Sequence, residues 1–253
     1  MKRKHAFIPD TQVKPGVPTA HLTACGNYLA DKRPDVIVMI GDWWDFPSLS
    51  SYDTVGAVGW EDKSLLVDLE AGRDAMADML RPIRAVSGYR PRMEFFIGNH
   101  EDRLRRARED PLNRRFAGFL SDSQLGLKQF GWTVNPFLKI KRIDGILYSH
   151  YFINPRSLMN RPLAGSIENK LDKLGSSFSM GHQQTMQIGS VFTATGERRR
   201  GLVCGAFYEH EEEYLGPQKN SQHWRGMVMK HEVHAGDYDM MEVSLPYLKE
   251  NWL

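Results

Sequence analysis

Val36-Ile37-Val38-Met39-Ile40-Gly41-Asp42-Trp43-Trp44-Asp45 opens with an unbroken apolar run held between Pro34 and Gly41. Nothing in that run alternates with polar residues, so it reads as a strand covered on both faces rather than one with a wet side. Strands of that kind belong to parallel sheets flanked by helices. The run ends at Gly41, and an aspartate follows at once.

The segments on either side repeat this grammar. Residues 6–9 read as a short buried strand that stops before Asp10, and 11–18 as a loop punctuated by Pro15, Gly16 and Pro18. Residues 19–30 have helical spacing. From 64 to 86 a long amphipathic helix is expected, with Leu65, Leu66, Leu69, Met76, Met79, Leu80 and Ile83 on its apolar side and Pro82 placed to kink or end it. Residues 93–97 form another strand, closed by Gly98 and followed by an arginine-rich helical segment. Short strands at 145–149 and 178–180 run into Ser149-His150 and Gly181-His182.

Residues 191–194 and 202–207 read as a hairpin through Thr195-Gly196-Glu197, which puts Arg198, Arg199 and Arg200 in its turn region. Residues 226–233 and 238–245 flank a second turn at Ala235-Gly236-Asp237. Strands and helices alternate in the first half and strands dominate the second, which is an α/β arrangement. The 253 residues carry no internal repeat or linker. The expectation is one domain over 1–253, with 208–253 as a strand-rich extension.

Composition narrows the partners. A formal charge of +2 is too mild to announce a nucleic acid or a membrane, so such a partner needs a local patch. Cys25 and Cys204 stand far apart, which argues against a disulfide framework or a thiolate zinc site and fits a reducing cytoplasm. No apolar stretch approaches the roughly 18 residues that a membrane span needs. A soluble protein is expected.

Asp10, Asp42, Asn99, His100, His150 and His182 all fall directly after expected strands. Strand carboxyl ends are where loops converge on sites in open α/β sheets. One such residue is ordinary turn chemistry. Six, all capable of holding a metal or moving a proton, point to a site.

The blocks Pro9-Asp10-Thr11-Gln12, Gly41-Asp42-Trp43-Trp44-Asp45, Gly98-Asn99-His100-Glu101, Ser149-His150 and Gly181-His182-Gln183-Gln184 occur in this order. Together they resemble the calcineurin-like metallophosphoesterase family, whose pattern is Asp-x-His, Gly-Asp-x-x-Asp, Gly-Asn-His-Asp/Glu, a lone His, and Gly-His-x-His. The resemblance runs from about residue 6 to about 207. It implies an α/β/β/α sandwich of two mixed sheets flanked by helices, with residues beyond 207 adding strands to one sheet. It implies two divalent ions about 3.5–4 Å apart, bridged by Asp42. Asn99, His150 and His182 would complete one position, and Asp10, Gln12 and Gln184 the other. His100 would protonate the leaving oxygen, with Asp45 orienting its ring, while water activated by the ions attacks phosphorus.

Gln12 and Gln184 stand where the family pattern has histidines. Two such changes at one ion read as a coordinated replacement. Amide oxygen is a harder and weaker donor than imidazole, so this position should favour Mn2+ or Mg2+ over Zn2+ and hold its ion more weakly.

Arg103, one turn from His100, is the candidate for substrate phosphate. Arg105, Arg106, Arg108, Arg114 and Arg115 could track a DNA or RNA backbone. Against that stands a solvated helix face paired with Glu101, Asp102, Glu109 and Asp110. Trp43 and Trp44 read as packing, though one could stack on a base. His210 with Glu209 and Glu211 to Glu213 reads as an acidic surface loop, and His223, His231 and His234 receive no role. Residues 214–217 and Trp224-Arg225-Gly226 lead into the last hairpin, which is either a lid or a sheet edge. The reaction expected is phosphate-ester hydrolysis, with a phosphodiester favoured. A phosphomonoesterase, a nucleotide hydrolase or a non-catalytic phosphate-binding module remain the alternatives.

Overall fold

The computed structural model describes residues 2–50, 63–159, 161–212, 218 and 222–253. Its first sheet is built from β1 (Arg3–Ile8), β2 (Val36–Met39), β3 (Arg92–Phe96) and β4 (Thr133–Asn135), all parallel, with β10 (Gly226–His234) and β11 (Asp237–Ser244) added antiparallel beyond β1. The second sheet runs β5 (Lys141–Ile143), β6 (Ile146–Tyr148), β7 (Phe178–Met180), β9 (Arg198–Val203) and β8 (Gln187–Phe192). Here β6, β7 and β9 are parallel, and the two edges are antiparallel.

Side chains alternate across a strand, and β2 shows how that makes layers. Ile37 and Met39 pack with Leu22, Tyr28, Met76 and Met79 on helices α1 (Ala20–Lys32) and α2 (Leu65–Ala85). Val36, Val38 and Ile40 pack with Ile146, Tyr148 and Leu202 of the second sheet. The far face of that sheet is covered by α4 (Ile167–Leu174) through Ile167 and Leu171 against Phe178 and Val203. Helix, sheet, sheet and helix therefore stack in that order. Two mixed sheets flanked by helices are what the family resemblance implied.

The differences have local causes. Pro82 neither ends nor breaks α2, which continues to Ala85 with Ile83 buried in the core. The first hairpin turns at residues 193–197, not over the arginines: Phe192 pairs with Arg198, Thr193 with Glu197, and all three arginines lie in β9. Arg198 and Arg200, two apart and on one face, both reach Asp237. The final hairpin is a sheet edge and not a lid. After it, Ser244 accepts from the Tyr247 N–H and caps α5 (Leu245–Trp252), which packs on α1 through Trp252 and Tyr28. Strands β4 and β5 and helices α4 and α5 lie outside the expected set. The two strands are too short to show a period, but both helices carry helical spacing that a reading of the chain could have found: Ile167, Leu171 and Leu174 in α4, and Leu245, Leu248 and Trp252 in α5. No helix among the described residues is long and apolar enough to cross a membrane.

Candidate metal centre

Strands β1, β2 and β3 of one sheet and β6 and β7 of the other deliver Asp10, Asp42, Asn99, His150 and His182 from their carboxyl ends. The loops there are wound tightly. Gln12, Asp42, His182 and Gln184 all adopt left-handed backbone, with φ of 45°, 52°, 68° and 57°. Such conformations cost energy in residues with a Cβ, and they gather where a site demands a particular side-chain direction. Gly98 shows the crowding: a Cβ there would lie 2.1 Å from Asp42 Oδ1.

Asp42 is central. Its Oδ1 accepts the His100 N–H at 2.9 Å, and its Oδ2 lies 3.3 Å from His150 Nε2. His150 Nδ1 is 2.9 Å from the Ile40 carbonyl oxygen, so that nitrogen carries the ring's proton and donates it. Nε2 is left facing Asn99 Oδ1 at 2.8 Å and the Asp42 carboxylate. A buried carbonyl anchoring the far nitrogen is the usual preparation of a metal-binding imidazole. Asp42, His150 and His182 can each offer a donor atom within 4.8 Å of the others. The His182 ring packs on Tyr151 at 4.7 Å between centroids.

On the other side of the cleft, the His182 N–H donates to Asp10 Oδ1 at 2.9 Å. Asp10 Oδ2 and Gln12 Oε1 are buried with no hydrogen-bond partner. Orphaned buried acceptors are costly, and a cation is the partner that satisfies several oxygens together. These orphaned acceptors, and the Asp42, His150 and His182 group beside them, fit the binding of divalent metal.

The electrostatics agree. Burial alone would lower the His150 pKa, but the Asp42 carboxylate, with Asp10 and the Ile40 carbonyl, more than reverses this and lifts it to about 9. Asp10 rises to about 7 through burial and the charge of Asp42. Burial would also raise Asp42, yet His150 and His100 hold it well below the usual carboxylate range. His182 is pushed down to about 4 by burial and by His150. Acidic and imidazole groups shifting one another this strongly mark a cluster of closely interacting charges.

His100 stands beside this cluster. Its Nδ1 is 2.8 Å from the Asp45 carbonyl oxygen and 3.1 Å from Asp45 Oδ1, and its Nε2 is 3.3 Å from an Arg103 nitrogen. Burial opposes protonation, but Asp42 and the Asp45 bond raise the His100 pKa above its ordinary value. Arg103 also donates to the Asp45 carbonyl at 2.6 Å. Gln12, Asp42, Asp45, Asn99, His100, Arg103, His182 and Gln184 all line one open cleft of about 860 Å³. His150 lies buried behind it.

The same cleft holds residues that sequence reasoning passed over. Lys14 reaches Asp45 Oδ2 at 3.3 Å and Glu212 at 3.2 Å, and His210 Nε2 is 2.7 Å from Glu212. His210, Glu211 and Glu212 are thus a wall of the cleft rather than a remote surface loop; Glu213 and residues 214–217 lie outside the described residues. Glu101 does not pair with the arginine face. It is buried and accepts N–H bonds from Gly98, Asp42 and Trp44 at 2.8–3.0 Å, bracing the loops that carry Asp42 and Asn99. Burial and the Asp42 charge lift its pKa to about 6. Arg105 pairs with Asp102 and Glu109 on the helix surface, as a solvated helix face would. Trp43 and Trp44 are fully buried, their ring N–H groups turned to Gly72 and Leu69 of α2, so both are packing.

No protein-family model matches the sequence, and no curated protein aligns with it. Among solved structures, a dimetal phosphatase from Danio rerio superposes with a TM-score of 0.47 at 12% identity, over 96% of this chain and 96% of that one. A second solved structure gives 0.43 at 10% identity, over 96% of this chain and 100% of the other. Both likenesses are distant, and the functional reading rests on the side chains of the centre.

Proposed function

We propose that the chain hydrolyses phosphate esters with two divalent ions, Mn2+ or Mg2+, and that its substrate is a phosphodiester, a DNA or RNA strand first among them. The observation that carries this reading is the position of Asp42, which touches His150 on one side and His100 on the other, in a cleft also lined by Gln12 and Gln184. Bound ions would supply charge to the phosphoryl oxygens and depress the pKa of the attacking water.

The chain's own groups do the rest. Asp45 engages His100 Nδ1, which leaves Nε2 as the atom that delivers a proton to the departing oxygen. Arg103 brings fixed positive charge next to Nε2 and steadies the phosphate. The diester preference is supported by the open cleft and by the arginines of α3 (Asp102–Glu109) and the turn after it, where Arg108, Arg114 and Arg115 are exposed.

The test is hydrolysis of an aryl phosphodiester by metal-stripped protein, titrated separately with Mn2+, Mg2+ and Zn2+, beside His100→Ala. Activity should return with Mn2+ or Mg2+ and fall about 100-fold or more in the variant, with ion binding retained. Ion binding without turnover under any metal would sink the catalytic reading and leave a phosphate-binding module. A nucleic-acid substrate is then recognised by steep loss of affinity between low and moderate salt, which a small ester would not share.

A further inference from the structure

A glutamine is an awkward metal ligand. Its amide sits at the end of a flexible chain with no ring to lock it, and holding it still costs rotamer freedom. A histidine ligand is anchored through its second nitrogen, as His150 is by the Ile40 carbonyl. Gln184 has an anchor of another kind. The Tyr208 hydroxyl donates to Gln184 Oε1 at 2.9 Å, and its oxygen lies 3.0 Å from His223 Nδ1. An amide oxygen has two lone pairs, so one accepts from Tyr208 and the other remains for a cation.

Tyr208 is itself clamped. It is 1% exposed. The His210 ring stacks on it at 4.5 Å, and the Arg225 guanidinium lies 5.3 Å from the ring centre. Arg225 is tied back to the Glu209 carbonyl at 2.6 Å. The backbone before Tyr208 is pinned between Asp10, whose carbonyl accepts the Phe207 N–H at 2.7 Å, and Trp224, whose carbonyl accepts from Ala206 at 2.8 Å. At Gly205 a Cβ would lie 2.0 Å from the Trp224 carbonyl oxygen, so that approach admits no side chain.

We infer that Tyr208 is a positioning residue for the oxygen-donor half of the centre, fixing the Gln184 amide so that its carbonyl oxygen serves an ion shared with Asp10 and Gln12. The inference rests on the two-ion reading above. Tyr208, held by His210 and Arg225, supplies by tertiary contact the rigidity that an imidazole would have carried in its own ring.

The experiment is Mn2+ binding by calorimetry on the full chain, as wild type, Tyr208→Phe, Gln184→Ala and the double variant, with thermal unfolding as a check on folding. Tyr208→Phe keeps the ring and its stacking. The wild type should bind two ions. Tyr208→Phe should weaken one of them about 10-fold or more and leave the other within about twofold. In the Gln184→Ala background, where that ion is already weakened, the tyrosine change should add less than about twofold. Unchanged affinities in Tyr208→Phe, or an equal loss in both backgrounds, would overturn the role of Tyr208 and leave the two-ion reading standing. Gln184→Ala with both affinities intact would overturn it even if the tyrosine variant fails to fold, because nothing would remain to be positioned. A single ion in the wild type would remove the oxygen-donor position and both readings together.

Discussion

On one side of Asp42 the proposed donors are two imidazoles and an amide, His150, His182 and Asn99; on the other the proposed donors are Asp10, Gln12 and Gln184, oxygen throughout. The nitrogen side is locked at the rings themselves: the Ile40 carbonyl lies behind His150, 110 residues away along the chain, and Tyr151 packs on His182. The oxygen side holds two unpartnered acceptors and a flexible amide steadied by a tyrosine twenty-four residues along the chain. Both sides use left-handed backbone, so strain does not distinguish them. Rigidity and ligand softness do. A stiff imidazole site binds borderline metals tightly, whereas an oxygen site is more adaptable and leans to hard ions.

Removing a ligand from the rigid side should have the larger consequence. His150→Ala should weaken one Mn2+ by more than about 100-fold, beyond what loss of an outer anchor costs, and leave the second ion bound to the oxygen side. Calorimetric stoichiometry checks this. Loss of both ions together would show that the sides are one cooperative unit and break the comparison.

Acid limits the window in which the two sides can be compared. His5, between the sheets, lies 2.9 Å from the Tyr148 hydroxyl and 2.8 Å from Asp144, and burial pushes its pKa from 6.5 down to about 4. The folded state therefore prefers the neutral ring. Its stabilisation is complete above pH 6.5 and is lost as pH falls towards 4, because the unfolded chain takes up the proton first. The linked loss is roughly 3 kcal/mol. Urea unfolding across that range should show it, reduced in His5→Gln. A midpoint indifferent to pH in the wild type would contradict the buried neutral ring.

The smallest effect should come from converting one side into the other. Gln184→His replaces an amide oxygen with imidazole and should shift relative affinity from Mn2+ towards Zn2+ by about 10-fold, since softer nitrogen favours zinc. Competition between the two ions reads it directly. No shift would mean that residue 184 does not touch an ion.

Much of the first side was legible in the sequence. The run from Val36 to Ile40 marks a doubly covered strand, and Asp42, Asn99, His150 and His182 each announce themselves by following such a strand. The arginines at 198–200 misled because Thr195-Gly196-Glu197 is a good turn and says nothing about which residues pair beyond it; the Asp237 carboxylate, on another strand, holds Arg198 and Arg200 in β9. Glu101 misled for a similar reason. Beside an arginine run it reads as a surface partner, yet three backbone N–H groups claim it in the interior. His223 carried no signal, having no carboxylates near it in sequence.

The sequence by itself determined which donor atoms exist and on which strand ends they fall, because burial pattern and turn chemistry are local properties of a chain. It also determined that glutamines, with amide oxygens as donors, stand at positions 12 and 184. Only the tertiary structure decided that Lys14 bridges Asp45 and Glu212 in the cleft, that Glu101 turns inward, and that Tyr208 meets Gln184. Those contacts join loops from different strands and different sheets. Their distances depend on how the two sheets stack, which is set by the summed packing of the core and not by any one segment.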